Sequence, residues 1–178
     1  QSGRGRVTYC VAAAREEEEE EDDDDELTAR MSRVCRGNCR CRVGDRIKVS
    51  SASPKYASRV FVSPFEDSLE AAGLGKDVAP ETLIERCVGP YFESGGAKPL
   101  VAGDRIECPV VAAAADDEEE DDEEVRVGAL VEFKVMEVQS VDEDDEEAVV
   151  VVPAGDAEGY ELVVETNEDE SRYYLDRG

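Results

Sequence analysis

Histidine is absent from this 178-residue chain, and so is tryptophan. Without histidine the chain cannot build a histidine-based catalytic triad, a histidine general base or a metal site with an imidazole ligand. Only 6% of the residues are aromatic, although a hydrophobic content of 40% is enough for a core. The commonest acid–base and nucleophilic chemistries are therefore excluded.

Other catalytic signatures are missing as well. Gly73-Leu74-Gly75-Lys76 is the nearest approach to a phosphate-binding loop, but Asp77 stands where such a loop needs Ser or Thr. No Gly-Ser dipeptide occurs, which a self-cleaving decarboxylase requires, and no Asp-Thr-Gly or Asp-Ser-Gly turn of an aspartic protease is present. The sequence predicts a chain that is not an enzyme and that binds no cofactor of its own.

Cysteine is present in a spacing that does not favour a metal site. Cys35, Cys39 and Cys41 have the spacing C-x3-C-x-C, which is a poor pattern for zinc, and no C-x2-C pair occurs in the chain. We expect reduced, buried thiols and no metal at the six positions, Cys10, Cys35, Cys39, Cys41, Cys87 and Cys108.

The acidity of the chain is local. The formal charge is −26, but residues 16–26, 116–124 and 142–147 hold 26 of the 46 acidic residues, so the remaining 20 match the 20 basic ones. Like charges repel and stay extended in water, which predicts three long hairpin connections projecting from a β framework. These runs could aid solubility only, or could bind basic proteins such as histones; the charge disfavours nucleic acid.

Short strands dominate the remaining pattern. Period-two alternation predicts strands at residues 7–11, 39–49, 59–62, 105–111, 125–138, 148–152 and 161–165. Apolar residues at three- and four-residue spacing predict one helix at 81–92, disrupted at its end by Gly89-Pro90. Small polar residues at 50–54 are typical of a linker, and the polar residues 167–178 are typical of a tail.

The segment 31–70 is the one long stretch with few acidic residues. A strand pair around a turn at Gly44-Asp45 would place Arg40 and Arg42 side by side on one face, opposite small apolar residues. Two arginines on a rigid strand favour a docking edge for another protein or domain. A solvated strand face is the alternative.

An ordered series of residues runs through this segment and continues beyond it. Its first members are Met31, Arg33, Val34, Arg36, Asn38, Arg40, Arg42, Gly44, Asp45, Lys55, Tyr56, Arg59, Pro64 and Asp67, and its later ones are Gly89-Pro90-Tyr91-Phe92, Gly103-Asp104 and Val131-Glu132-Phe133-Lys134-Val135. The series resembles the amino-terminal domain of the valosin-containing protein family, the hexameric cell-division-cycle AAA unfoldases. The resemblance covers about residues 7–156.

The resemblance implies an all-β fold with one short helix. It places a double-psi β-barrel subdomain at residues 1–52, a linker at 53–58, a small four-stranded β-barrel at 59–166 and a polar tail at 167–178. In the family, more chain precedes the point that matches Gln1. We therefore expect a fragment whose first barrel lacks its opening strands.

The resemblance also implies a non-catalytic domain that recruits adaptors and substrates to an AAA unfoldase in ubiquitin-linked protein extraction and degradation. Tyr56, with Lys55, matches the adaptor groove between the barrels; the alternative is a hinge residue packed between them. Arg40, Arg42 and Arg126 match the interface with the ATPase ring. Residues 94–97 replace a second groove aromatic of the family, so we expect a shallower groove.

The resemblance implies that ATP and magnesium bind only to the ATPase domains of the parent chain, which is a hexamer in the family. No apolar run is long enough to span a membrane and no signal peptide is visible, so we expect a cytoplasmic or nuclear location. The competing hypothesis is a stand-alone acidic module that binds basic proteins.

Overall fold

The computed structural model describes residues 6–12, 28–53, 55–94, 96–112, 126–141, 150–152, 160–166 and 170–175. The three acidic runs at 16–26, 116–124 and 142–147 lie outside the described residues. Strands predominate and helices are few, which is compatible with the predicted all-β class. The double-psi barrel is not confirmed.

The described elements are seven strands and three helices. The strands are β1 (Lys55–Pro64), β2 (Lys98–Leu100), β3 (Arg105–Pro109), β4 (Leu130–Ser140), β5 (Val150–Val152), β6 (Tyr160–Glu165) and β7 (Glu170–Leu175). The helices are α1 (Arg33–Cys39), α2 (Glu66–Ala71) and α3, which joins the segments Pro80–Leu83, Ile84–Val88 and Gly89–Glu93.

Strand β1 is the centre of a mixed sheet. It pairs antiparallel with β4 on one edge and parallel with β5 and then β6 on the other. Strand β3 extends the sheet beyond β4, β2 pairs with β5, and β7 pairs with β6, all antiparallel. The sheet therefore brings strands that are distant in sequence to both sides of β1.

One apolar core lies between this sheet and the helices α2 and α3. On β4, Val131, Phe133 and Val135 are fully buried, whereas the residues between them are half-buried or exposed, as expected for a strand with one covered face. The core cluster contains the buried apolar residues Ala57, Val60, Val62, Leu69, Ala72, Leu74, Leu83, Ile84, Cys87, Val88, Phe92, Leu100, Ile106, Cys108, Val110, Val131, Phe133, Val135, Leu162 and Val164.

The predicted helix at 81–92 is confirmed as α3, and its proline is accommodated inside it. Pro90 has no N–H to donate to the Arg86 carbonyl one turn earlier, and the Val111 N–H donates to that carbonyl instead, at 2.8 Å. The preceding turn widens to a π-helix, and Gly89 is required because a Cβ there would lie 2.8 Å from the Ile84 carbonyl oxygen. The helix therefore continues to Glu93 rather than breaking at Gly89-Pro90.

The predicted strands at 7–11 and 39–49 are wrong. Residues 7–11 have no regular structure. In the region 39–49, Cys39 is the last residue of α1, and Arg40 ends that helix in a left-handed conformation with φ +56°. The Gly44-Asp45 turn is confirmed, because the Asp45 carboxylate accepts from the Arg42 N–H at 2.7 Å. Arg40 and Arg42 therefore do not share a strand face.

Several predicted boundaries also differ. Residues 55–58, assigned to the linker at 53–58, are the beginning of β1, and residues 170–175, assigned to the tail, form β7. Strands β3 and β4, which precede and follow the run at 116–124 in sequence, are antiparallel neighbours. The run at 142–147 joins β4 to β5, which pairs with β1 and β2 instead.

Among the described residues, no helix is both long and apolar enough to cross a membrane.

Candidate functional site

A cleft of about 510 Å³ opens where the amino-terminal part of the chain meets the sheet. One wall is formed by residues 8–11 and by α1, and the other by residues 96–100 and by β3. Val11 and Val34 give it accessible apolar surface above the buried Leu100 and Ile106, and side chains of both charge signs also line it. Such a combination is typical of binding sites, where apolar walls enclose the ligand and a few polar groups orient it.

Asp104, just before β3, attaches residues 6–12 to the sheet. Its side chain is buried, and it accepts hydrogen bonds from the Thr8 hydroxyl at 2.7 Å and from Arg6 Nη2 at 3.1 Å. Burial raises the pKa of the Asp104 carboxyl, while Thr8 and Arg6 act in the opposite direction. A buried carboxylate needs such partners, so this cluster fixes one wall of the cleft.

Asn38 attaches α1 to the same strand. Its side-chain amide donates to the Arg105 carbonyl at 3.0 Å, and its side-chain oxygen accepts from the Arg105 N–H at 2.8 Å. Asn38 therefore pairs with the first residue of β3 much as a neighbouring strand would. Ser32 begins α1 by accepting from the Cys35 N–H at 3.1 Å, which satisfies one of the free donors of the first turn.

Charged groups of both signs surround the cleft. Arg33 of α1 donates to Glu107 at 3.2 Å and to Glu132 at 2.9 Å. Arg105 lies over the Phe65 ring, 4.6 Å from its centroid. These exposed pairs contribute little stability but give the rim a fixed pattern of charge.

Tyr91 also lines the cleft. The Lys98 ammonium lies 4.9 Å from the centroid of its ring. Burial raises the pKa of Tyr91 to about 12, and the neighbouring Cys108 adds to the effect. The phenol therefore stays protonated at neutral pH and can both donate and accept a hydrogen bond.

Two thiols face the cleft, those of Cys10 and Cys35. Burial and, to a smaller extent, the neighbouring thiols of Cys10 and Cys39 together raise the pKa of Cys35 to about 12. A thiol held in its protonated form is a poor nucleophile. Within the described residues, no group of three or more His, Cys, Asp or Glu side chains is arranged to hold a metal ion.

The prediction of buried thiols is confirmed for Cys87 and Cys108, which lie in the core. It is wrong for Cys10, which is exposed, and Cys35, Cys39 and Cys41 are only half-buried. These four belong to the amino-terminal part of the chain. For Cys39 and Cys41 the reason is that the predicted strand at 39–49, which would have turned them inward, is absent.

Tyr56 and Lys55, the predicted groove residues, begin β1 and do not line this cleft. The Tyr56 side chain is 61% exposed, and its backbone carbonyl accepts from the Val141 N–H at 3.0 Å. An exposed aromatic ring is available to a partner, so the adaptor role of Tyr56 stays a prediction.

Arg40, Arg42 and Arg126, the predicted ring-interface residues, are all exposed. Arg40 ends α1 and Arg42 begins the following turn, whereas Arg126 lies beside α2, with its N–H donating to the Ala72 carbonyl at 3.0 Å. Their exposure leaves the guanidinium groups open to contact, and the ring-interface role stays a prediction.

Three residues that hold the cleft together had no predicted role, namely Asn38, Asp104 and Thr8. Asn38 and Asp104 do belong to the ordered residue series, and this was the available signal. Their partners lie 67 and 96 residues away along the chain, so no local pattern could have identified the contacts.

No protein-family model matches the chain.

Proposed function

We propose that this chain is a non-catalytic, protein-recruiting domain of an AAA unfoldase of the valosin-containing protein type, and that it binds ubiquitin-linked adaptors. The observation that carries the proposal is the cleft between the amino-terminal part and the sheet, with its apolar walls and mixed charges. The ordered residue series supports the family assignment. ATP and magnesium would belong to the ATPase domains of the parent.

The chemistry of the cleft favours a polypeptide ligand. Val11 and Val34, which line the cleft and are not buried, can contact one or two apolar anchor side chains, the interactions that dominate most protein interfaces. Lys98 and Glu107, of opposite charge, also line the cleft and could bind the carbonyl and N–H groups of an inserted loop. Tyr91, whose phenol is protonated at neutral pH, adds a possible hydrogen-bond donor to the cleft lining.

The proposal includes the finer fold of the family, a double-psi barrel followed by a small four-stranded barrel. Residues 6–12 and 28–53 contain no strand here, so the first barrel would require pairing with further strands of a longer parent chain. Arg40, Arg42 and Arg126 would then contact the ATPase ring.

Titration of the chain with an isolated ubiquitin-regulatory-X domain, followed by calorimetry, tests the proposal. Ala97 is exposed and lines the cleft, so Ala97→Arg should place a long charged side chain in it and raise the Kd at least about tenfold, or about 1.4 kcal/mol. The matched control is Ala71→Arg, because Ala71 is exposed on α2 and outside the cleft. That variant should bind like the unchanged chain.

A second variant, Tyr56→Ala, locates the docking site. The resemblance predicts weaker adaptor binding when this ring is removed, whereas docking in the cleft alone predicts no change. If the chain does not bind the ubiquitin-regulatory-X domain but captures histones in a salt-sensitive way, the acidic-module hypothesis is supported and the proposal fails.

A further inference from the structure

We propose that residues 6–12 occupy, as an internal ligand, a binding site for an extended segment of another protein. In that segment an arginine is followed two residues later by threonine or serine. The partner segment displaces residues 6–12 from Asp104 and takes their place along the cleft. The proposal rests on the contacts of Asp104 and does not depend on the adaptor function.

The acceptor side of this site belongs to the sheet and does not need residues 6–12 for its shape. The Gly103 N–H donates to the Val135 carbonyl at 2.6 Å, and the Val135 N–H donates to the Asp104 carbonyl at 2.8 Å. Val135 is fully buried on β4. Asp104 therefore keeps its position when residues 6–12 leave, and a preformed site costs a ligand less to bind.

The arrangement of acceptors specifies the chemistry of the ligand. Arg6 Nη2 donates to Asp104 Oδ1 at 3.1 Å and to the Ala102 carbonyl at 3.3 Å. The Thr8 hydroxyl donates to the other oxygen, Asp104 Oδ2, at 2.7 Å. Gly103 leaves room for the guanidinium, since a Cβ there would lie 2.8 Å from Arg6 Nη2. An extended segment presents side chains two residues apart on the same side, so one carboxylate can bind both donors.

The present occupant is held weakly enough to be exchanged. Within the described part of the chain, the hydrogen bonds that join residues 6–12 to the sheet side are all made by the side chains of Arg6 and Thr8. The segment has no regular structure, and Val7 and Val11 are 64% and 71% exposed. It can therefore leave without breaking the sheet, which makes its opening a local event.

Exchange favours a partner that makes more contacts than residues 6–12 do. The internal ligand is tethered, so its effective concentration is on the order of millimolar, and a segment that only reproduces its two donors competes poorly. Displacement of residues 8–11 removes one wall of the cleft and gives the partner access to Val34 and Glu107 in its lining. A partner segment longer than the two donors can therefore prevail.

Charge favours another protein over a second copy of this chain as the source of the segment. Residues 16–26, which follow the internal ligand closely, are 11 acidic residues in succession, and the formal charge of the chain is −26. A second copy would bring an identical acidic run to the same site and would be repelled. An arginine-bearing segment of a less acidic protein is attracted instead.

A labelled peptide binding to the full chain tests the proposal by fluorescence anisotropy. The peptide has the sequence of residues 6–12 with blocked ends, and it carries Cys10→Ser to exclude thiol chemistry. In the protein, Arg6→Gln together with Thr8→Val removes the donors of the internal ligand. The apparent Kd is the intrinsic Kd divided by the fraction of open sites, so this double variant should bind the peptide at least about tenfold more tightly than the unchanged chain.

Two controls show whether the peptide binds at Asp104. A peptide that also carries Thr8→Val lacks the hydroxyl and should bind the double variant at least about fivefold more weakly. Addition of Asp104→Asn to the double variant removes the negative charge, and the affinity for the first peptide should fall at least about tenfold. Circular dichroism checks that this triple variant is folded. If it is not, the comparison of the two peptides on the double variant decides.

Three results overturn the proposal. These are no measurable binding of the peptide to the double variant, equal affinity for the unchanged chain and the double variant, and equal affinity for the two peptides. Sedimentation tests the second copy, because a dimer of the unchanged chain that the double variant does not form would identify residues 6–12 of another copy as the occupant. None of these measurements uses a ubiquitin-regulatory-X domain, so their failure is distinct from a failure of the proposed adaptor binding.

Discussion

The two parts of this chain are held by different forces. The sheet and the helices α2 and α3 surround one apolar core, whose members all lie between residues 57 and 164. In the described residues 6–12 and 28–53, Asn38 alone is buried. Side-chain hydrogen bonds attach this part to the sheet side, and they are made by Asn38, Arg6, Thr8 and Arg33. We call these two parts the body and the amino-terminal part.

This difference predicts two levels of stability. Burial of a large apolar side chain contributes about 1.5–3 kcal/mol, and many such residues act together in the body. A typical hydrogen bond contributes a net of only about 0.5–1.5 kcal/mol, and the amino-terminal part depends on a few of them. It should therefore open locally while the body stays folded, and the cleft lies at this weaker junction.

The largest effect is expected in the body. Phe133, at 0% exposure on β4, loses most of its side chain in Phe133→Ala, which should lower the free energy of unfolding by about 3–5 kcal/mol. Urea denaturation followed by circular dichroism measures this change. The matched control on the same strand is Leu130→Ala, whose side chain is 53% exposed, and its effect should stay within about 0.5 kcal/mol.

The same variant probes the link between the two parts. Asn38 binds the backbone of β3, so unfolding of the body should remove protection from amide exchange in α1 as well. If α1 stays protected when the body of Phe133→Ala unfolds, the amino-terminal part is stable by itself and the comparison fails.

A smaller and more local effect is expected at the junction. Asn38→Ala removes both hydrogen bonds to the Arg105 backbone, which should destabilise the attachment of α1 by about 1–3 kcal/mol. Hydrogen exchange at the Arg105 amide and across α1 should accelerate, while the urea midpoint of the body changes much less. Asn38→Asp is the control, because it keeps the acceptor for the Arg105 N–H and should show an intermediate effect.

Asn38→Ala could instead lower the free energy of unfolding of the body as much as Phe133→Ala does. That result would contradict the prediction that the two parts differ in stability. The chain would then unfold as one cooperative unit, and the polar contacts would be as important as the core.

The body was the more predictable part from sequence, and α3 shows why. Leu83, Ile84 and Cys87 are spaced to face one side of a helix, and all three are buried in the core. Local spacing was sufficient because the helix buries one face. The π-helical turn was not predictable, since it depends on a hydrogen bond from the distant Val111 to the Arg86 carbonyl.

The amino-terminal part was less predictable from sequence, for a physical reason. Residues 39–49 alternate as a strand does, but alternation becomes a strand only when a neighbouring strand supplies hydrogen bonds, and none does so here in the described residues. A local signal for α1 was present in Ser32, a favourable residue before a helix. The cleft itself depends on contacts between residues distant in sequence, which no single-sequence pattern reveals.

The smallest effect is expected at Thr8. Burial raises the pKa of Asp104 above its usual 3.8, and the Thr8 hydroxyl opposes that shift by donating to the carboxylate. Thr8→Val removes the donor, so the pKa of Asp104 should rise further, and the attachment of residues 6–12 at neutral pH should weaken by about 1 kcal/mol. Carbon-detected NMR titration of the Asp104 carboxyl measures the pKa, and Thr8→Ser, which keeps the hydroxyl, is the control.

The pH dependence gives the sign of this effect. Because the pKa of Asp104 is higher in the folded chain, the folded chain binds this proton more tightly than the unfolded chain does. The stability that this proton contributes is therefore present below pH 3.8. It is lost as the pH rises through the pKa of Asp104 in the folded chain. Thr8 stabilises the charged form, so the difference between the Thr8→Val variant and the unchanged chain should be largest above that pKa. An equal difference at low pH would show that Thr8 acts through packing, and that the amino-terminal part is not attached through this carboxylate.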